Sequence, residues 1–128
     1  MNRTYLFVTL ALSTIGIGCK SPPNHVETFR GPQDVVYTVE TWEQYGAPSS
    51  DFTRVFAAYD GSKPSEKHLV MDGAYLLIHR IIWNSDDDVT ICLSGGRVNS
   101  FRTLAILQRP QSPLVIYNHI DEHCPRER

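Results

Sequence analysis

A chain of 128 residues, with 12 Lys and Arg against 14 Asp and Glu, is long enough for one domain with a modest core and too short for two. Its formal net charge of −2 supplies no basic face, which argues against nucleic acid as a partner and against electrostatic adhesion to anionic lipid.

The chain opens with a short basic start, Met1-Asn2-Arg3-Thr4, followed by an apolar run from Tyr5 to Ile17 that ends in Gly16-Ile17-Gly18-Cys19. The run is too short to cross a hydrocarbon layer of ~30 Å, so it reads as a secretory signal peptide covering residues 1–18. Small residues directly before a cysteine resemble the bacterial lipobox, although that pattern usually has Leu where this chain has Gly16. The resemblance implies cleavage before Cys19, acylation of Cys19 (palmitate among the acyl groups) and attachment to a membrane through that lipid. It also implies an envelope location. Lys20 stands where an aspartate commonly signals inner-membrane retention, so the expected site is the outer membrane, facing the periplasm.

Removing residues 1–18 leaves Cys92 and Cys124 as an even pair once Cys19 carries lipid. In an oxidising compartment the two are expected to form a disulfide, closing a long loop. Lys20 to Asp34, with Pro22-Pro23 and Gly31-Pro32 and no apolar period, reads as a flexible tether. Fully extended, such a stretch spans at most ~50 Å. The expected organisation is therefore a signal peptide at 1–18, a lipidated tether at 19–34 and a single β domain at 35–128.

From Val35 onward the pattern alternates. Val35, Tyr37 and Val39 share one face of a predicted strand running to Tyr45, with Val36, Thr38, Glu40 and Trp42 on the other. A break at Gly46 to Ser50 precedes a second strand, Thr53 to Tyr59. Leu69-Val70-Met71 leads into Asp72-Gly73, a strong hairpin signal. Ala74 to Trp83 is long, apolar and rich in isoleucine, which suggests a central strand covered on both faces. Val89 to Leu93, Phe101 to Gln108 and Leu114 to Ile120 complete about seven strands separated by Gly, Pro, Asn and Asp. The expected class is all-β, a small antiparallel sandwich or barrel.

Chemistry is sparse. Asn84, Asp86 and Asp88 alternate like the first ligands of a calcium loop, but Val89 and Gly95 stand where that loop needs glycine and glutamate. His119, Asp121, Glu122, His123 and Cys124 crowd the C-terminus. Pairing of Cys124 removes its thiolate, and a strand does not place His119 and His123 on one face as a helix would. There is no G-x-S-x-G elbow and no H-E-x-x-H, and His79 lies inside an apolar strand. The expectation is no enzyme, no metal and no cofactor. Leu93-Ser94-Gly95-Gly96-Arg97 resembles, over these few residues, the Ser-Gly loop of the periplasmic lysozyme inhibitors, without the tyrosine that usually follows; a glycine turn is the plainer account.

What remains is binding. Trp42, between Thr41 and Glu43, and Tyr45, beside Gly46-Ala47-Pro48, are candidates for aromatic contacts with a protein, and Arg97 is a third from the glycine turn. The expected function is an envelope lipoprotein acting as a periplasmic protein-binding module. An immunity protein or inhibitor of a toxin or cell-wall hydrolase suits such a domain, the alternative being an accessory of an envelope or secretion complex.

Overall fold

A computed structural model describes residues 22–43, 51–60, 62 and 65–125. Nine strands form two packed sheets. In chain order they are β1 (His25–Arg30), β2 (Val35–Trp42), β3 (Phe52–Tyr59), β4 (Leu69–Ala74), β5 (Leu77–Ser85), β6 (Asp88–Ser94), β7 (Arg97–Phe101), β8 (Leu104–Leu107) and β9 (Leu114–Asp121). The five-stranded sheet has the order β1-β2-β3-β4-β7, and the four-stranded sheet β5-β6-β9-β8. All pairings are antiparallel except β6 with β9, which run parallel. The all-β sandwich expected from the alternation is present, and the sheets do not close into a barrel. No helix among the described residues is long and apolar enough to cross a membrane.

The alternating residues supply the core. Val35, Tyr37 and Val39 of β2 are buried, and they meet Val55 and Ala57 of β3, Ile78 and Ile81 of β5, Ile91 and Leu93 of β6 and Ile116 of β9. Burial of these branched and aromatic side chains is the main favourable term for a domain of this size, at ~25 cal/mol per Å² of apolar surface.

Several expectations need correction. The tether does not extend to Asp34: His25–Arg30 pairs along β2, from His25 opposite Thr41 to Arg30 opposite Val36, and a 3₁₀ turn at Pro32–Asp34 joins the two strands. Only Phe29 of β1 packs against the core, so the strand shows no apolar period despite being paired. Asp72-Gly73 is not a hairpin turn. It lies within β4, where a Cβ on Gly73 would sit 2.2 Å from the Arg97 carbonyl oxygen of β7; the glycine permits close strand approach at a bulge. The chain turns at Tyr75-Leu76 instead, where it crosses to the other sheet. Strand β5 is an edge strand, not a central one, and Leu77 is exposed. The predicted strand Phe101 to Gln108 is divided at Arg102-Thr103, β7 lying in one sheet and β8 in the other.

Two of the three crossings between the sheets, β4 to β5 and β6 to β7, lie at one end of the sandwich. Tyr75 has φ +58, and its N–H donates to the Asp51 carbonyl at 3.1 Å. Gly95 and Gly96, with φ +66 and +74, carry the chain from β6 back to β7. At the opposite end, Gly31 seats the indole of Trp83, which would lie 2.0 Å from an added Cβ.

Candidate functional site

Two of the sequence-predicted contact residues, Trp42 and Arg97, share one cross-strand row with two strands between them. Trp42, Phe52, Ala74 and Arg97 are register partners across β2, β3, β4 and β7, on the outer face of the five-stranded sheet. Trp42 is half-buried, its ring tilted against Phe52 with centroids 6.2 Å apart. Arg97 is exposed and donates from Nε to the Asn99 side chain at 3.2 Å. Cys19 and Tyr45 lie outside the described residues.

The next outward row runs through Val26, Glu40, Arg54, Asp72 and Ser100, and so spans all five strands. Arg54 lies 5.8 Å above the Phe52 ring and pairs with Glu66 at 2.7 Å. Ser100 donates to Asp72 at 2.7 Å. Burial raises the Glu40 pKa, and the nearby Arg54 charge opposes the rise. These neighbours place alternating charge beside the Trp42–Phe52 pair.

The cysteines form a disulfide. Cys92 and Cys124 have Cα atoms 5.7 Å apart, and the bond clips the chain beyond β9 onto the outer side of β6. Arg80 donates to the Pro125 carbonyl on the same tail. The cleft here, about 480 Å³, is lined by His79, Arg80, Cys92, Leu93, Glu122, Cys124 and Pro125. His79 shares a 2.7 Å hydrogen bond with Ser94. Asn84 donates to Asp88 and to Thr90, both at 2.8 Å, while Asp88 also meets the His119 ring at 3.2 Å. The Asn84 and His119 hydrogen bonds hold the Asp88 carboxyl below its usual pKa. Among the described residues, no three His, Cys, Asp or Glu side chains gather to hold a metal ion.

A third surface lies on the smaller sheet, among residues that the sequence does not mark. On the outer face of the four-stranded sheet, Leu104 of β8 stands opposite Tyr117 of β9, and Ile106 opposite Val115. All four are exposed, Ile106 by 61% and Tyr117 by 50%. Their neighbours Leu107, Leu114 and Ile116 point inward and are buried. In the run Leu104-Ala105-Ile106-Leu107 every residue is apolar, so no alternation marks which side faces out. The signal available was the strand Leu114 to Ile120, whose alternate positions Val115 and Tyr117 are apolar although the core side is already filled. Strand β8 is also an edge. Beside it a groove of about 670 Å³ opens between Ile106 and Leu107 on one side and Tyr59, Ser65, Lys67 and His68 on the other.

Comparison with protein-family models, with curated proteins and with solved structures yields no match. The β8–β9 arrangement differs in kind from the exposed acid–base pairs His119–Asp88 and His25–Glu43. It offers apolar side chains held outward by a rigid sheet, next to an edge strand and a groove, which is the chemistry of macromolecular contact.

Proposed function

We propose that this chain is a bacterial envelope lipoprotein that is cleaved before Cys19, acylated there and held at the outer membrane facing the periplasm. Its β-sandwich binds a protein partner through the outer face of β8 and β9. One observation carries the binding reading: the cross-strand pairs Leu104–Tyr117 and Ile106–Val115 turn four apolar side chains to solvent on an edge of the smaller sheet. Contiguous exposed apolar surface on a small domain favours coverage by a partner. The β8 edge adds main-chain donors and acceptors that an extended segment of that partner can meet. A rigid face on a short anchored domain suits an immunity protein or inhibitor that neutralises a toxin or cell-wall hydrolase.

The test is co-purification of the full chain from its own cell envelope, in wild-type form and as the I106E and Y117S variants. A single stoichiometric partner retained by wild type and lost from both variants is the expected result. Inhibition of that partner's activity on binding identifies it as a toxin or hydrolase. A set of membrane components in its place identifies an assembly accessory. Equal retention by wild type and both variants removes this face from consideration.

A further inference from the structure

We propose that the end of the sandwich carrying Trp42, Tyr75 and Leu77 rests against the lipid surface, so that the domain stands end-on with its aspartate-rich end pointing away. The inference rests on acylation of Cys19. Strand β1 begins at His25, six Cα steps beyond Cys19, which at full extension is at most ~20 Å. His25 pairs with Thr41, so the anchored chain enters at the end of the five-stranded sheet where Trp42, Phe52, Ala74 and Arg97 lie. An eight-residue strand such as β2 is ~26 Å long. Standing the domain on its other end requires lifting the anchored end by that length, which exceeds the tether.

The side chains at the anchored end suit an interface. Leu77 is 59% exposed and Tyr75 is 44% exposed, at the same end of the sandwich as the half-buried Trp42. Aromatic rings with a polar edge favour the headgroup level of a bilayer, where one side is apolar and the other wet. Tyr75 is presented there by a backbone with φ +58, a conformation rare for an aromatic residue. Arg97 adds an exposed cation in the same row, and Glu43 at this end is paired with His25 at 2.9 Å. The far end holds Asp34, Asp60 and the Asp86-Asp87-Asp88 turn, which an anionic surface repels more than it does Asp51 and the Asp121-Glu122 tail toward the anchored end. End-on docking leaves the outer face of β8 and β9 clear of lipid.

Fluorescence quenching by brominated lipid tests this posture. The full chain is purified from membranes, its mature mass is measured, and it is placed in phosphatidylethanolamine–phosphatidylglycerol vesicles with acyl chains brominated near the glycerol. Three single-tryptophan forms are compared: W83F, W42F, and L77W with both native tryptophans replaced by Phe. The Trp83 indole N–H is buried without a hydrogen-bond partner among the described residues, so W83F removes no hydrogen bond. Emission from W83F and from the L77W form is expected to fall in brominated vesicles relative to unbrominated ones, while W42F, reporting Trp83 at the far end, holds its emission. A mature mass without lipid on Cys19 overturns the anchor and this posture together. An acylated protein whose W83F and L77W emissions do not fall, or whose W42F emission falls equally, keeps its anchor and overturns the posture alone.

Discussion

Tyr37 of β2 donates its hydroxyl hydrogen to the Asn118 side-chain oxygen of β9, a polar tie between the two sheets in the middle of an apolar core. Asn118 in turn donates from Nδ2 to the Arg102 carbonyl at 3.2 Å, and its backbone N–H donates to Thr103 at 2.8 Å. One residue therefore fixes both the distance between the sheets and the break where the chain leaves β7 for β8. Removing the phenol leaves the Asn118 oxygen buried without its donor.

Tyr37→Phe is expected to cost ~1–3 kcal/mol in urea unfolding at neutral pH, the usual penalty for stranding a buried polar atom. In a cycle with Asn118→Ala, the double variant loses less than the sum of the two single losses, because the second change removes the stranded group. Burial raises the Tyr37 pKa, so the protonated phenol is the form the fold favours. A raised folded value means stability that is complete below the unfolded value of ~10 and lost as pH rises beyond it. The advantage of wild type over Tyr37→Phe therefore narrows above that pH. Equal unfolding midpoints at neutral pH would deny the tie any energetic role.

The disulfide between Cys92 and Cys124 spans 32 residues. On the chain-entropy model, closing such a loop destabilises the unfolded state by ~3–4 kcal/mol. Reduction, or the C92A/C124A variant, is expected to lower unfolding stability by that order. Hydrogen exchange should accelerate first at the Glu122 to Cys124 amides, in the tail that the bond and the Arg80–Pro125 hydrogen bond hold against β6. Uniform acceleration across β6 and β9 instead makes the bond a global support rather than a tail clip.

Asp88 contributes to stability on the acid side. Hydrogen bonds from Asn84 and from the His119 ring lower its pKa below the ordinary 3.8. A depressed folded value means stability present above the unfolded pKa and lost as pH falls through the folded one. Asp88→Asn is therefore expected to flatten the decline of stability below pH ~4, and NMR titration of the Asp88 carboxyl should give a midpoint under 3.8. A midpoint at or above that value removes the stabilising role assigned to Asn84 and His119.

The parts of the fold legible in the sequence were those where one side of a strand is buried and the other wet. Val35, Tyr37 and Val39 alternate with polar neighbours, and both the strand and its inward face follow from that. Strand β1 was illegible because its pairing is main-chain work: five of its six side chains are exposed. Asp72-Gly73 misled because glycine serves turns and close strand approach alike, and only the neighbouring Arg97 carbonyl distinguishes them. Ala74 to Trp83 looked central because an edge strand that covers a core and also exposes Leu77 is apolar on both sides. Trp42 and Arg97 stand out in the sequence for separate reasons, and their shared row depends on a strand order that spacing does not encode. Leu104 and Ile106 are not legible as outward-facing because their strand has no polar position to set its phase.

Adjacent glycines at the crossing from β6 to β7 provide the sharpest test of the local geometry. Both have positive φ, +66 at Gly95 and +74 at Gly96, so alanine is strained by ~1–2 kcal/mol at either position. Space separates them. A Cβ on Gly95 meets nothing closer than the Tyr75 carbonyl oxygen at 3.8 Å, whereas one on Gly96 would lie 2.4 Å from the Ala74 oxygen and 2.5 Å from that of Tyr75. Backbone atoms do not move aside as a flexible side-chain end does, so Gly96→Ala must also push the Tyr75 corner away from β7. Gly95→Ala is expected to fold with the strain cost alone. Gly96→Ala should lose at least ~1 kcal/mol more, the lower range for overpacking, and broaden the amide signals of Ala74, Tyr75 and Leu76. Indistinguishable losses from the two substitutions would mean that this corner is not packed against the glycine turn as described.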